Sequence, residues 1–265
     1  MKYRAFTRKQ LGIPYALFLF LFVVLPLSVV LYYAFTDAKG QFTMQNFLNF
    51  FTNAKTVGTL LYSILIAVAT TLACLVLAYP TAYILAKGVF SHGAALMMVA
   101  VTPMWINFTL RVTALKEILS VIEGNLAYYP FLNTVIGMTY DFLPFMILPL
   151  YTSILKMDSG LLEAAADLGA ARGEIFWKVM LPLSMPGIVS GVTMVFLPAM
   201  TNYVVLDMMY NSTYIMGSLI GSYFNFYDWN NGSMISSILL AMIALLSWLS
   251  GKFGESGSRE GGASL

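Results

Sequence analysis

Glu163-Ala164-Ala165-Ala166-Asp167-Leu168-Gly169, followed after nine intervening residues by Val179-Met180-Leu181-Pro182, is the stretch that decides how this chain is read. It is the longest polar-bearing segment between hydrophobic runs, and it reads as two short helices joined at Gly169. Leu161, Ala165 and Leu168 fall at i, i+4 and i+7 and share one apolar face. Glu163 and Asp167 lie four apart on another face, where like charges do not neutralise each other. Gly169 is the natural stop, because the residue past a helix end often takes positive φ, which costs glycine least. A second helix is expected from about Arg172, with Ile175, Phe176 and Val179 on its apolar side. Pro182 is expected to end it, and Pro186 to fall in the first turn of the next span. An amphipathic hairpin held between two membrane spans is suited to docking on another protein.

Composition makes the surroundings of this hairpin a membrane. The chain is 59% hydrophobic and 10% charged, against about 25% charged in a soluble domain. Its mean hydropathy is +0.79. The sequence therefore reads as all-α and polytopic. A net charge of +2 is too small to indicate nucleic acid. One cysteine, Cys74, and one histidine, His92, provide neither a disulfide pair nor a metal cluster. Cys74 lies in an apolar run and is expected to face lipid or a neighbouring helix.

Taken in order, residues 1–10 carry Lys2, Arg4, Arg8 and Lys9 ahead of an apolar run over 11–35. That run is too long for a signal h-region, so it is read as a retained first span. In the segment that follows, Met44, Phe47, Leu48 and Phe51 repeat with helical spacing. They predict an amphipathic helix at the outer interface or packed across the bundle. Five further spans are placed near 58–86, 94–110, 134–157, 186–206 and 234–250, each around the ~20 residues that cross a ~30 Å hydrocarbon layer. The organisation is then a short cytoplasmic amino terminus (1–10), a permease domain (11–250) with its loop at 158–185, and a Gly/Ser-rich tail (251–265) expected to be disordered.

Basic residues set the expected orientation. With the amino terminus inside, Lys2, Arg4, Arg8, Lys9, Lys87, Lys156, Arg172, Lys178, Lys252 and Arg259 are cytoplasmic. Lys39, Lys55, Arg111 and Lys116 are outside. The excess lies on the side of the Glu163 loop.

Ionisable and aromatic residues at membrane depth mark a possible route, since a charge there is costly unless it meets water or a partner. Asp141 is read about 12 Å into the fourth span, and Trp105 about 16 Å into the third. Asn107 and Arg111 follow Trp105 toward the outside. Asp207 is expected to end the fifth span one turn after Tyr203. Pro198 should kink that span. Asp141 and Asp207 with Trp105 and Tyr203 would suit a cation, which carboxylates and aromatic faces both attract. Packing is the competing reading for Trp105 and Tyr203, and a solvated loop edge for Asp207.

The combination of Glu163, Ala164, Ala165, Gly169, Leu181 and Pro182 resembles the coupling loop of the membrane subunits of binding-protein-dependent ABC importers. That family usually has Ile where Val179 stands. The resemblance implies a coupling helix that enters a groove on an ATPase subunit, with Glu163, Ala164, Ala165, Asp167, Leu168, Gly169, Arg172, Leu181 and Pro182 carrying the contact. Phe42-Thr-Met-Gln-Asn-Phe47 looks like the lead-in to the core spans of the family. Leu72-Ala-Cys-Leu-Val-Leu-Ala-Tyr-Pro80, Pro103-Met-Trp-Ile-Asn-Phe-Thr-Leu-Arg111, Leu143-Pro-Phe-Met-Ile-Leu-Pro-Leu-Tyr151 and Leu181-Pro-Leu-Ser-Met-Pro-Gly187 resemble its spermidine/putrescine permeases. The implied partners are a second, similar permease chain, two ATPase subunits, an extracellular binding protein and the lipid bilayer. The implied cofactors, ATP and Mg, belong to the ATPases, with none in this chain. Permeases for ferric iron and thiamine share much of the pattern and stay open as alternatives.

No Gly-x4-Gly-Lys-Ser/Thr phosphate loop occurs, so no ATPase activity of its own is expected. An intramembrane enzyme would need clustered catalytic or metal-ligating groups, which the sequence does not offer. A secondary carrier would usually need more spans or visible repeats, and it does not require the Glu163–Pro182 loop.

Overall fold

The computed structural model describes residues 12–88 and 92–259, and for 249–259 the backbone alone. The expected amino-terminal segment 1–10 and residues 260–265 of the tail lie outside the described residues. In chain order the helices are α1 (Gly12–Ala34), α2 (Gln45–Thr52), α3 (Ala54–Lys87), α4 (Gly93–Val101) and α5 (Phe108–Glu123). They continue as α6 (Pro130–Leu155), α7 (Ser159–Asp167), α8 (Arg172–Thr201), α9 (Tyr203–Met208), α10 (Met216–Asn225) and α11 (Trp229–Arg259). Among the described residues the only β pairing is an isolated antiparallel bridge between Thr36 and Phe42.

Among the described residues five helices are long and apolar enough to cross a membrane: Gly12–Ala34, Ala54–Lys87, Pro130–Leu155, Arg172–Thr201 and Trp229–Trp248. The expected third span is not one straight helix. α4 continues as a 3₁₀ turn, Thr102–Trp105, and the chain then bends by 96° into α5. Ile106 is extended there, and Asn107 starts the new helix by accepting hydrogen bonds from the N–H groups of Thr109 and Leu110. Sequence periodicity alone does not reveal such a cap inside an apolar run.

Proline is accommodated differently from expectation. Pro182 does not end a helix: α8 runs unbroken from Arg172 to Thr201. Its turn Phe176–Met180 is widened to a π-helix immediately ahead of Leu181-Pro182. The same device, Phe20–Val24, precedes Leu25-Pro26 in α1. A wider turn gives the proline ring room beside the carbonyl of the preceding turn, which has lost its N–H partner. α8 does end three residues after Pro198, so Tyr203 and Asp207 stand on the separate helix α9 rather than at the end of the span. α11 continues through Arg259, over a stretch read as disordered; glycine and serine lower helix propensity there without forbidding a helix.

The described residues form two compact units. The first joins the residues up to Val57 with Leu219–Met242. Its turn after α1 is closed by Asp37, whose carboxylate accepts the N–H groups of Lys39 and Gln41 at 2.9 Å each. Side-chain amides satisfy carbonyls left open at the end of α1. Asn46 donates to Thr36 O at 3.0 Å, and Asn230 donates to Thr36 O at 2.6 Å and Tyr33 O at 3.1 Å. In α2 the core residue is Phe50; Met44, Leu48 and Phe51 are exposed, as suits a helix at an interface.

The second unit, Gly58–Ser218 with the residues from Ile243 onward, is built on α6. This helix buries Met138, Phe142, Met146, Ile147, Leu150 and Ile154. α8 lies against it through Gly187 and Gly191. A Cβ at Gly187 would stand 2.5 Å from Ser153 Cβ, and one at Gly191 would stand 2.5 Å from Met146 Sδ. This small-x-x-x-small spacing allows membrane helices to pack backbone to backbone. Cys74 is buried, the helix-facing of its two expected positions.

α5 is fixed to α6 by charge. Arg111 Nη2 and Asp141 Oδ1 are 2.5 Å apart, with side chains only 7% and 5% exposed. The sequence reading places Arg111 in an outer segment and Asp141 on a route; the structure pairs the two, and a buried charge is tolerable only when paired. Asp141→Asn is therefore expected to leave Arg111 unpaired and to cost about 3–5 kcal/mol. Thermal denaturation of the detergent-solubilised chain checks this, and Arg111→Met with Asp141→Leu should recover most of the loss.

Candidate functional site

The first arm of the hairpin and its stop are built as the sequence suggested, whereas its second arm is the start of the continuous α8. Asp158 caps α7 by accepting the Gly160 N–H at 2.9 Å. Gly169 has φ +83°. Its N–H donates to Ala166 O at 2.9 Å, and that of Ala170 donates to Ala165 O at 3.1 Å. This pair of bonds is a Schellman stop, which satisfies carbonyls at the helix end and needs the left-handed residue that glycine supplies. Glu174 then braces the start of α8, accepting from the Ala171 N–H at 3.2 Å and from Lys178 Nζ at 2.8 Å.

The faces of this hairpin are open. Glu163, Ala164, Asp167 and Arg172 are exposed, and Leu168 is 89% exposed. Leu181 is half-buried and Pro182 exposed, at the first turn after the π-helical segment. Trp177 is exposed too, with its ring edge-on to Phe176 at 5.2 Å. Phe176 in turn meets Tyr79 of α3 at 5.5 Å, and Tyr79 OH is 3.1 Å from Ser184 Oγ.

A residue that sequence reading missed ties the base of the hairpin down. Lys87, the last residue of α3, donates from Nζ to Met157 O at 2.6 Å and to Ser159 Oγ at 3.0 Å. A lysine at a helix end looks like any interfacial anchor in sequence, and nothing local discloses a partner seventy residues on. Beside this tether a cavity of about 630 Å³ lies between α6 and α8, lined by Ser153, Lys156, Asp158, Leu161, Pro186 and Ser190.

The expected route residues do not form one group. Asp141 and Arg111 are locked together inside. Trp105 is 91% exposed at the break before α5, rather than packed at mid-span. Asn107 is spent on capping α5. Tyr203 and Asp207 are both exposed on α9. α9 is held closely on α6 where a Cβ on Gly137 would meet Val205 Cγ1 at 3.0 Å and Met209 Cε at 2.9 Å. Beyond α9, Asn211 is buried, and its amide donates to Tyr62 OH and to Thr134 Oγ1 at 3.0 Å each. The described residues hold no group of three or more His, Cys, Asp or Glu side chains able to bind a metal.

Comparison with known proteins agrees with this architecture. The family described as binding-protein-dependent transport system inner membrane component matches residues 10–253. The chain is 36% identical to the spermidine/putrescine transport system permease protein PotB of Escherichia coli K12, over 87% of this chain and 92% of that protein. It is 35% identical to PotB of Haemophilus influenzae, over 86% and 87%. Among solved structures, a chain of a bacterial alginate ABC transporter in complex with an alginate pentasaccharide-bound periplasmic protein superposes with a TM-score of 0.67, at 12% identity and 91% coverage of each chain. With a helical hairpin braced between two packed spans and this similarity along nearly its whole length, the chain belongs to the family of binding-protein-dependent transport system inner membrane components.

Proposed function

We propose that this chain is the non-catalytic permease subunit of an ATP-driven importer of polyamines. The observation that carries the reading is the Schellman-stopped hairpin, which presents Glu163, Asp167 and a nearly bare Leu168 with no partner among the described residues to cover them. The cargo class rests on the spermidine/putrescine permeases to which the chain is similar. The partners are a second permease chain, two ATPase subunits that bind ATP and Mg, and an extracellular binding protein. Family membership supports the last of these directly. The chain sits multi-pass in the inner membrane with both termini and the hairpin in the cytoplasm, an orientation supported by the excess of Lys and Arg on that side.

In this reading the hairpin transmits force because both its ends are fixed. α7 follows α6 directly, the second arm of the hairpin is the first part of the spanning helix α8, and Lys87 pins the near end to α3. A displacement of α7 by the ATPases is passed to α6 and α8, whose close contact at Gly187 and Gly191 makes them move as one body. The two orientations of the spans are then populated according to the nucleotide state of the partners. Asp207, Tyr203 and Trp105 offer exposed contacts to a cation, whereas the Arg111–Asp141 pair holds the helices together.

Gly169→Pro cannot adopt φ +83°, since proline is confined near −65°. ATP-dependent uptake of labelled spermidine into vesicles bearing the chain and its partners is expected to be lost in Gly169→Pro and in Glu163→Lys, while the spans stay folded. Normal ATP-driven uptake in either variant contradicts the coupling role. ATPase stimulation by the binding protein without spermidine uptake would leave the importer class and remove the cargo. Lys87→Ala is expected to reduce the uptake obtained per ATP hydrolysed, while Lys87→Arg should retain most of it.

A further inference from the structure

Tyr203 and Asp207 lie one turn apart on α9, Tyr210 lies two residues past its end with its N–H donating to Asp207 O at 3.3 Å, and all three are exposed. The Asp207 carboxylate makes no ion pair or side-chain hydrogen bond among the described residues. The Tyr210 ring is already engaged: Lys116 Nζ of α5 sits 4.5 Å from its centroid, a cation–π distance. Tyr210 is held in the left-handed region at φ +54°, uncommon for a bulky side chain. Its neighbours keep it there. Asn211 N–H donates to Leu206 O at 2.9 Å, and the Asn211 amide is fastened to Tyr62 and Thr134. Asn202 caps the start of α9 through the Val205 N–H. An exposed ring covered by a primary ammonium from the chain itself, in the same turn as an exposed carboxylate, is thus set on a firmly anchored element.

We infer that Tyr203, Asp207 and Tyr210 form a seat for primary ammonium groups, and that Lys116 is its resident occupant, displaced when an amine binds. The inference rests on the polyamine reading for its physiological ligand and deepens it, but the seat itself follows from the geometry. Lys116 carries the same head group as a polyamine terminus, so its position over Tyr210 reports what the ring accepts. Asp207, whose carbonyl accepts the Tyr210 N–H, adds a negative charge to the same turn. While Lys116 remains on the ring it repels a second ammonium; once displaced it exposes the ring face. Its return when the amine leaves would clear the seat and disfavour recapture. A quaternary or primary amine fits this arrangement, whereas an anion meets a repelling carboxylate.

Two measurements on the full chain test this. In nanodiscs, the ¹³C-dimethylated Lys116 signal, assigned with Lys116→Arg, should be shifted upfield by the Tyr210 ring. It should be lost from that position in Tyr210→Leu, and it should move toward the position of exposed lysines as putrescine is added. In vesicles with the partner subunits, Tyr210→Leu should raise the putrescine concentration for half-maximal ATP-driven uptake about twofold to fivefold, the ratio an exposed cation–π contact is worth. Asp207→Asn should raise it as well. Tyr210→Phe, which keeps the ring, should stay within about twofold, and Lys116→Gln should lower it, the opposite direction from a loss of structure. Wild-type uptake with an unmoved Lys116 signal and unchanged half-saturation in Lys116→Gln and Tyr210→Leu overturns the seat. A Lys116 signal displaced by putrescine without any ATP-driven uptake upholds the seat and overturns the polyamine reading instead.

Discussion

At Gly187 and Gly191 the backbone of α8 comes so close to α6 that any side chain would collide with Ser153, the Pro149 carbonyl or Met146. This contact sets much of the larger unit. It puts the two spans that flank the hairpin side by side, so that α7 must leave one and return to the other across a short distance. It also makes the pair stiff, because packing between backbones leaves few side-chain rotamers to absorb a displacement. A hairpin on a compliant pair of helices would dissipate a push from outside; under the proposed coupling role, this pair would pass it to both spans.

Polar groups inside the unit serve the same end. Arg111 and Asp141 sit in surroundings where an isolated charge would be untenable, and their mutual attraction fixes α5 to α6. Asn211 and Lys87 do comparable work at opposite ends of α3, the first through Tyr62 and the second through the Met157 carbonyl. Each spends a buried or half-buried polar group on a contact between segments distant in sequence. The Arg111 guanidinium retains Nε and Nη1 atoms that make no hydrogen bond among the described residues, so the pair is held by one strong contact rather than a saturated network.

The hairpin was largely legible in the sequence. Glycine at a helix stop, a polar run between apolar ones and the spacing of leucine and alanine are local signals, and the structure carries them as positive φ at Gly169 and paired carbonyls at Ala165 and Ala166. Five of the spans were legible for the same reason, since a long apolar run has few other uses. What sequence did not disclose depends on distance in space. Asp141 looked like a free carboxylate at depth because its partner is thirty residues away on another helix. Trp105 looked like part of a straight span because the bend before α5 is made by Asn107, a cap hidden in an apolar context. Pro182 looked like a terminator because a π-helical turn, which no simple periodicity announces, lets the helix pass it. Tyr210 drew no notice because neither its left-handed backbone nor the lysine over its ring has a signature in the neighbouring residues.

The central claim is that the Leu168 end of the hairpin is buried by an ATPase subunit. The most direct test is disulfide or bismaleimide cross-linking of Leu168→Cys, in a chain whose Cys74 is replaced by serine, within membranes that contain the partner subunits. The account predicts a single cross-linked product between this chain and the ATPase, its yield changing with the nucleotide present, and none from a cysteine placed at Leu132 at the far end of α6. An assembled, ATP-hydrolysing complex in which Leu168→Cys reaches no ATPase, or reaches only a subunit on the outer side of the membrane, would contradict it.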